Sequence, residues 1–274
     1  MDIKSTVKLN NGVEMPLLGF GVFRTKDGKE TEDAVSWALE AGYIHIDTAK
    51  IYGNEKSVGA AIKNASIPRE KIFVTTKLWN EDMRQHRQMA AFEESLKIMG
   101  LDYVDLYMIH WPVNFVESWK VMEEIYKSGR AKAIGISNFQ PHHMDTLMKE
   151  AKVTPAVNQF ECHPYLSQQP LVDYCKKLGI ACEAYSPIGG QGSDLLSNAA
   201  VVKLAQKYSK TPAQVVLRWH LQRGIIAIPK SIKKERVVSN CQLYDFELSA
   251  ADMDILFGLN INKRIGSDPD NFNF

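Results

Sequence analysis

Four side chains with complementary chemistry stand at or near the ends of short apolar runs. Asp47 follows Tyr43–Ile46, Lys77 follows Ile72–Thr76, His110 follows Val104–Ile109, and Tyr52 lies just beyond Asp47. A lysine ammonium beside a tyrosine favours the phenolate and lowers the phenol pKa, while a carboxylate keeps the lysine charged and in place. Tyr52 then becomes a usable proton donor. A neutral His110 hydrogen-bonds a carbonyl oxygen and orients it toward that donor. This is equipment for carbonyl reduction. The same residues also fit a buried Asp47–Lys77 ion pair with Tyr52 and His110 as ordinary core groups.

The pattern continues along the chain. Ser137–Asn138 follows Ala133–Ile136, Gln159 ends Ala156–Gln159, Tyr185–Ser186 follows Ala181–Ala184, and Lys230–Ser231 follows Ile225–Pro229. Carbonyl reduction needs a hydride, which no side chain supplies, so a cofactor is implied. Gly19-Phe20-Gly21 lacks a third glycine and Gly189-Gly190-Gln191-Gly192 has the wrong spacing, which argues against a Rossmann site. Lys230, Ser231 and Arg236 instead form a basic-plus-hydroxyl cluster suited to a phosphate at a helix N-terminus. The same cluster, with Lys233 and Lys234, also reads as a solvated charged loop.

The elements that must position these residues are themselves legible. Eight apolar runs, Leu17–Gly21, Tyr43–Ile46, Ile72–Thr76, Val104–Ile109, Ala133–Ile136, Ala156–Gln159, Ala181–Ala184 and Ile225–Ile228, alternate with helical patterns such as Val35, Ala38 and Leu39 before Gly42. Strand, helix, strand repeated in this way implies parallel pairing. Eight runs, apolar on both faces, match a closed α/β architecture, the (β/α)8 TIM barrel, with all the polar ends on one face. Val7–Leu9, Asn11-Gly12 and Val13–Met15 predict a hairpin with a type I′ turn ahead of the barrel. Extra helices are predicted over Asn198–Tyr208 and Ala250–Leu259, with another over Thr211–Gln222. No linker or low-complexity segment interrupts residues 1–274, which read as one domain.

Composition narrows the partners. Lys plus Arg (33) nearly cancels Asp plus Glu (32), leaving no positive field for nucleic acid or an anionic membrane. The N-terminus lacks the apolar core of a secretory signal and no apolar run reaches a membrane span, so a cytoplasmic location is expected. Cys162, Cys175, Cys182 and Cys241 have no metal-site spacing and are expected as reduced thiols in the interior. No His-x-His follows an early strand, and His142-His143 is placed exposed at a helix start after Pro141; no metal is expected.

Taken together the residues resemble the aldo-keto reductase family. The matching stretches are Ile46-Asp47-Thr48-Ala49 with Tyr52, Gly53-Asn54-Glu55 and Val58-Gly59; Thr75-Thr76-Lys77; Asp105-Leu106-Tyr107 to His110-Trp111-Pro112; Gly135 to Phe139; Asn158-Gln159 with Glu161 and His163-Pro164; and Thr211-Pro212-Ala213-Gln214 through Leu217-Arg218-Trp219 to Ile228-Pro229-Lys230-Ser231. The resemblance implies a (β/α)8 barrel with a hairpin across its base and an NADPH-dependent, metal-free reduction of aldehydes and ketones to alcohols. It makes Tyr52 the general acid, tuned by Asp47 and Lys77, with His110 orienting the carbonyl. Ser137, Asn138 and Gln159 would hold the nicotinamide carboxamide, Tyr185, with Ser186 beside it, would stack on the ring, Lys230, Ser231 and Arg236 would grip the 2′-phosphate, and Asn240 would face the adenine.

Two stretches depart from what many members of the family carry. Val22-Phe23 replaces Thr-Trp or Thr-Tyr in one wall of the substrate pocket, and Ser239 replaces a Glu beside Asn240. Phe23, Trp79, His110 and Trp111 are the expected substrate walls. The short loop after His110 and the brief polar tail after Leu259 resemble the compact microbial and protozoan members, among them 2,5-diketogluconate reductases, methylglyoxal reductases and prostaglandin F synthases. They suggest an open pocket and a monomer. Two other readings remain at this point: a Schiff-base lyase using Lys77 or Lys230, against which Asp47 argues by keeping Lys77 charged, and a regulatory NADPH-binding barrel without turnover.

Overall fold

The computed structural model describes all residues 1–274. A hairpin of β1 (Thr6–Lys8) and β2 (Glu14–Pro16) comes first, and Val7 pairs with Met15. Its turn is not the predicted two-residue type. Leu9 N–H bonds to the Val13 carbonyl, the Gly12 N–H bonds back to the Leu9 carbonyl, and only Gly12 has positive φ, at 88°. A three-residue loop with glycine in the left-handed position therefore closes the hairpin, since type I′ would require Asn11 to have positive φ as well. The loop is held by Asn10 and Asn11, whose side-chain amides donate to the carbonyls of Pro155 and Lys132.

Eight parallel strands follow: β3 (Phe20–Gly21), β4 (His45–Asp47), β5 (Phe73–Leu78), β6 (Val104–Ile109), β7 (Ala131–Ser137), β8 (Val157–Glu161), β9 (Ala181–Tyr185) and β10 (Ile226–Ala227). They pair in sequence order, and a parallel bridge between Leu18 and Ala227 joins the first to the last. The Gly19 and Gly21 amides donate across that seam to Ala227 and Pro229. The sheet is thus a barrel. Lys132 is the second residue of β7 and Pro155 precedes β8, so the hairpin lies across the N-terminal end of the barrel, opposite the strand ends that carry the polar residues.

Outside the strands run α1 (Lys29–Glu40), α2 (Glu55–Lys63), α3 (Asn80–Arg84), α4 (Gln88–Met99), α5 (Phe115–Lys127), α6 (Pro141–Met148), α7 (Gln169–Lys177), α8 (Ala199–Tyr208), α9 (Pro212–Gln222), α10 (Lys234–Asn240) and α11 (Ala250–Phe257). α9 begins with Pro212 and a reciprocal cap between Thr211 and Gln214, which satisfies donors that the first helical turn leaves unpaired. α8 and α11, the two additions, pack with α9 around Trp219, Leu204 and Leu256 in a second apolar cluster outside the barrel. α2 approaches α4 at Gly59, where a Cβ would lie 2.0 Å from the Met99 carbonyl oxygen. Only glycine fits there. All four cysteines are buried and free, and no helix is long and apolar enough to cross a membrane.

Candidate active site

Lys77 is fully enclosed in β5, where it donates to Asp47 Oδ1 at 2.6 Å and to the Thr48 carbonyl oxygen at 2.9 Å. Burying an ammonium is costly unless it is paired and hydrogen-bonded, and these acceptors meet that condition. Tyr52 ends a short 3₁₀ turn, Lys50–Tyr52, that brings its ring to 5.2 Å from Lys77 Nζ. Burial pushes the Tyr52 phenol well above its ordinary pKa, and the charge of Asp47, joined by that of Glu183 when it ionises, pushes the same way. The ammonium of Lys77, held by Asp47 and Thr48, does not offset that push. Tyr52 accordingly stays protonated, the state a proton donor requires.

His110 follows β6 and meets Tyr52 and Trp79 edge-on, at 5.7 and 5.3 Å between ring centres. Burial, aided by the charge of Lys77, holds its pKa well below the ordinary value, so the imidazole is neutral. Asp47, Tyr52, Lys77 and His110 thus converge at one end of the barrel. A neutral imidazole and a protonated phenol beside a compensated ion pair can jointly bind a carbonyl oxygen and deliver a proton to it.

The next strands supply a polar ledge. Asn138, held at φ 65°, donates from its amide to the His110 carbonyl and to Ser137 Oγ, and accepts from the Tyr185 hydroxyl at 2.8 Å. Gln159 donates from Nε2 to both Asp47 Oδ2, at 2.9 Å, and Glu183 Oε2, at 2.8 Å. Ser186, also at positive φ, lies beside Gly190. Lys230 is half-buried and Arg236 exposed, and neither makes an ion pair with the protein. Burial, against the pull of Glu30 and with Arg24 nearby, lowers the Lys230 pKa. Ser231 Oγ accepts the Lys233 N–H, and Asn240 is buried at the end of α10. Cations half out of water and without carboxylate partners fit a phosphate.

The substrate side differs from the sequence expectation in two ways. Val22 is fully buried, with its carbonyl bonded by Asn54, so of the Val22-Phe23 pair only Phe23 reaches the mouth, 4.9 Å from Tyr52. The tail after Leu259 is not an open polar end. Phe274 stacks on Trp79 at 5.9 Å and meets Trp111 edge-on at 5.0 Å, while Phe272 lies 4.8 Å from Trp111. The tail thus lies against both tryptophans on that side of the mouth.

Glu161, fully buried at the end of β8, holds this tail by accepting the Ile265 and Gly266 N–H groups at 2.7 and 2.8 Å. Its role in fixing the tail was not legible from sequence spacing, and neither were His45 and Glu183. The one available signal was a charge inside the apolar run Ala181–Ala184. His143 also departs from the expectation of an exposed pair. Only His142 is exposed, whereas His143 caps α6 by accepting the Gln140 N–H at its Nδ1. His142, His143 and Asp270 present ligand atoms within 4.8 Å of one another. A metal-bound histidine normally donates through its second nitrogen, so the capping bond suits helix closure better than an ion.

A barrel with a tyrosine, histidine and lysine–carboxylate pair at its polar end defines a class of carbonyl-directed barrel enzymes. The chain belongs to the aldo/keto reductase family, whose family model matches residues 17–261. It is an oxidoreductase that reduces carbonyl groups to alcohols. It is 49% identical to a 9,11-endoperoxide prostaglandin H2 reductase of Trypanosoma cruzi, over 97% of this chain and 95% of that protein. It is 48% identical to a glyoxal reductase of Bacillus subtilis, over 99% of each chain. The crystal structure of an aldo-keto reductase from a Medee basin deep-sea metagenome library superposes with a TM-score of 0.95 at 49% identity, covering 98% of this chain and all of that one.

Proposed function

We propose that this chain is an NADPH-dependent reductase of small aldehydes and ketones, α-dicarbonyls among them, with Tyr52 as the general acid. The observation that carries the reading is the convergence of Tyr52 and His110 over the enclosed Lys77–Asp47 pair. The bound nicotinamide would supply the hydride. Tyr52 gives its proton to the carbonyl oxygen as charge develops there, His110 orients that oxygen, and Lys77 with Asp47 fixes the electrostatics beneath the phenol. Ser137, Asn138 and Gln159 would hold the carboxamide, and Tyr185 with Ser186 would face the ring. Lys230, Ser231 and Arg236 would hold a 2′-phosphate, which would make NADPH the better partner than NADH, and Asn240 would contact the adenine.

Phosphate recognition rests on these side chains rather than on a strong helix terminus, because α10 has only seven residues and opens at Lys233. Phe23, Trp79 and Trp111, with Phe272 and Phe274, form the aromatic walls for the carbonyl substrate. Residues 1–274 act as one catalytic domain, which we place in the cytoplasm as a monomer. The enclosed, doubly bonded Lys77 weighs against a Schiff base, since its attack would require losing the proton that Asp47 and Thr48 hold. The direct test is loss of NADPH absorbance on mixing with methylglyoxal or an aromatic aldehyde, with NADH run alongside. Rapid loss with NADPH is expected, whereas tight NADPH binding without turnover on any carbonyl would favour the regulatory barrel.

A further inference from the structure

Beneath the mouth, the interior of the barrel holds more acid than base. Glu183 on β9 faces His45 and Asp47 on β4, Lys77 on β5 and Gln159 on β8, with Tyr52 above; its ladder neighbour on β10, Ile226, carries no charge. His45, Asp47, Lys77, Gln159 and Glu183 are all within 2% of full burial. Lys77 is the one cation, and it is bonded to Asp47 and Thr48. Glu183 Oε2 receives the Gln159 amide at 2.8 Å, but Glu183 Oε1 has no hydrogen-bond partner, and His45 Nε2 lies 3.7 Å from it. An ionised carboxylate would leave a bare charged oxygen in the barrel core, whereas a protonated one carries no net charge. His45 offers no compensation, because burial and Lys77 push its pKa down to about 3.

Gln159 links this acid to the site. Its Nε2 is shared between Asp47 and Glu183, so the amide is fixed from two sides and its Oε1 is left without a protein partner. An amide turned the other way would set its oxygen against Asp47. We propose that Glu183 is a positioning residue for the carbonyl reduction: as a neutral acid it fixes, with Asp47, the Gln159 amide that addresses the nicotinamide, and it leaves Lys77–Asp47 as the sole ion pair beneath Tyr52. This rests on the reductase reading above. Ionising Glu183 adds a second negative charge near the phenol, which holds the Tyr52 proton more tightly and weakens it as a donor. A divalent ion among His45, Asp47 and Glu183, whose ligand atoms lie within 4.8 Å, is disfavoured because the Gln159 amide already donates to both carboxyls and the Lys77 ammonium to Asp47.

The test combines a spectrum that needs no turnover with a pH profile. In the cofactor-free protein, infrared difference spectra should show a buried carboxylic-acid C=O band at neutral pH that fades as pH rises through about 8. Glu183→Gln should remove the band and also the loss of kcat across that range. Glu183→Leu, which deletes the acceptor, should raise the Kd for NADPH, followed by tryptophan fluorescence, by about tenfold. Glu183→Gln should restore most of that loss. The proposal is overturned if the band is absent from the wild type, if the protein carries a stoichiometric divalent ion instead, or if Glu183→Gln keeps the wild-type alkaline limb. A wild type that turns over no carbonyl would defeat the reductase reading, while the infrared result would still stand or fall separately.

Discussion

Replacing Glu161 with glutamine should loosen the C-terminal tail without touching the catalytic groups. Each Glu161 oxygen takes one tail amide, Ile265 at 2.7 Å and Gly266 at 2.8 Å, and Oε1 also takes His163 Nε2 at 3.0 Å. Glutamine keeps one acceptor and turns an NH2 group toward the other amide, donor against donor. The loss is one buried hydrogen bond to a charged group, about 1.5–3 kcal/mol, which shifts the opening equilibrium of the tail by roughly 10- to 150-fold. Hydrogen exchange of peptides spanning 260–274 should accelerate by that factor, with little change elsewhere. The KM for an aromatic aldehyde should rise more than that for a small dicarbonyl, because Phe272 and Phe274 lean on Trp111 and Trp79. Aromatic contacts of about 0.5–1.5 kcal/mol limit this effect to roughly tenfold. Unchanged protection of the tail would refute the clamp and leave the aromatic stack as its only anchor.

The same bonds predict an acid sensitivity with a definite sign. Burial alone would raise the Glu161 pKa, but His163 and the Ile265 and Gly266 amides outweigh it and leave the value lowered. A carboxyl depressed on folding contributes stability above its unfolded pKa and loses it as pH falls through the folded one. Tail protection should therefore hold through neutral pH and fail only below the ordinary glutamate range.

Tyr52→Phe should cut turnover by 10²–10⁴-fold, roughly the worth of a general acid, with the Kd for NADPH near normal; full activity would remove Tyr52 from the mechanism. Arg236→Ala should weaken NADPH by about tenfold and leave NADH nearly unaffected, and equal weakening of both would undo the 2′-phosphate assignment. Gly59→Ala should lower the melting temperature sharply, with a cost of about 3 kcal/mol or more, because the new methyl meets the backbone of Met99 at 2.0 Å and backbone cannot swing aside. A melting curve like that of the wild type would mean that α2 and α4 separate freely.

Much of the architecture follows from local pattern. β6 occupies the predicted Val104–Ile109, and the other strands overlap their predicted runs, because strands covered on both faces must be largely apolar. The helix after Thr211 carries its own start signal in Thr211, Pro212 and Gln214. The shortest strands were the least well bounded. Leu17–Gly21 contributes only Phe20–Gly21 to the regular sheet, since its earlier residues bridge to Ala227 across the barrel seam, a partner no local window contains.

The site divides along the same line. The sequence by itself determined which polar residues end the strands, because a parallel barrel places every such end on one face whatever the side-chain details. It could not determine their states. Whether Lys77 lowers the Tyr52 pKa depends on where its charge is spent, and the tertiary structure spends it on Asp47 and Thr48. The tail was opaque for a related reason. Phe272 and Phe274 stand in a polar, aperiodic segment, and their meaning lies in Trp111 and Trp79, contacts across most of the chain. Glu183 likewise looks like an isolated charge in a strand until closure of the barrel sets it across from Asp47 and Gln159. Local composition fixes secondary structure and facing, whereas charge balance and pocket shape are sums over side chains that only folding brings together.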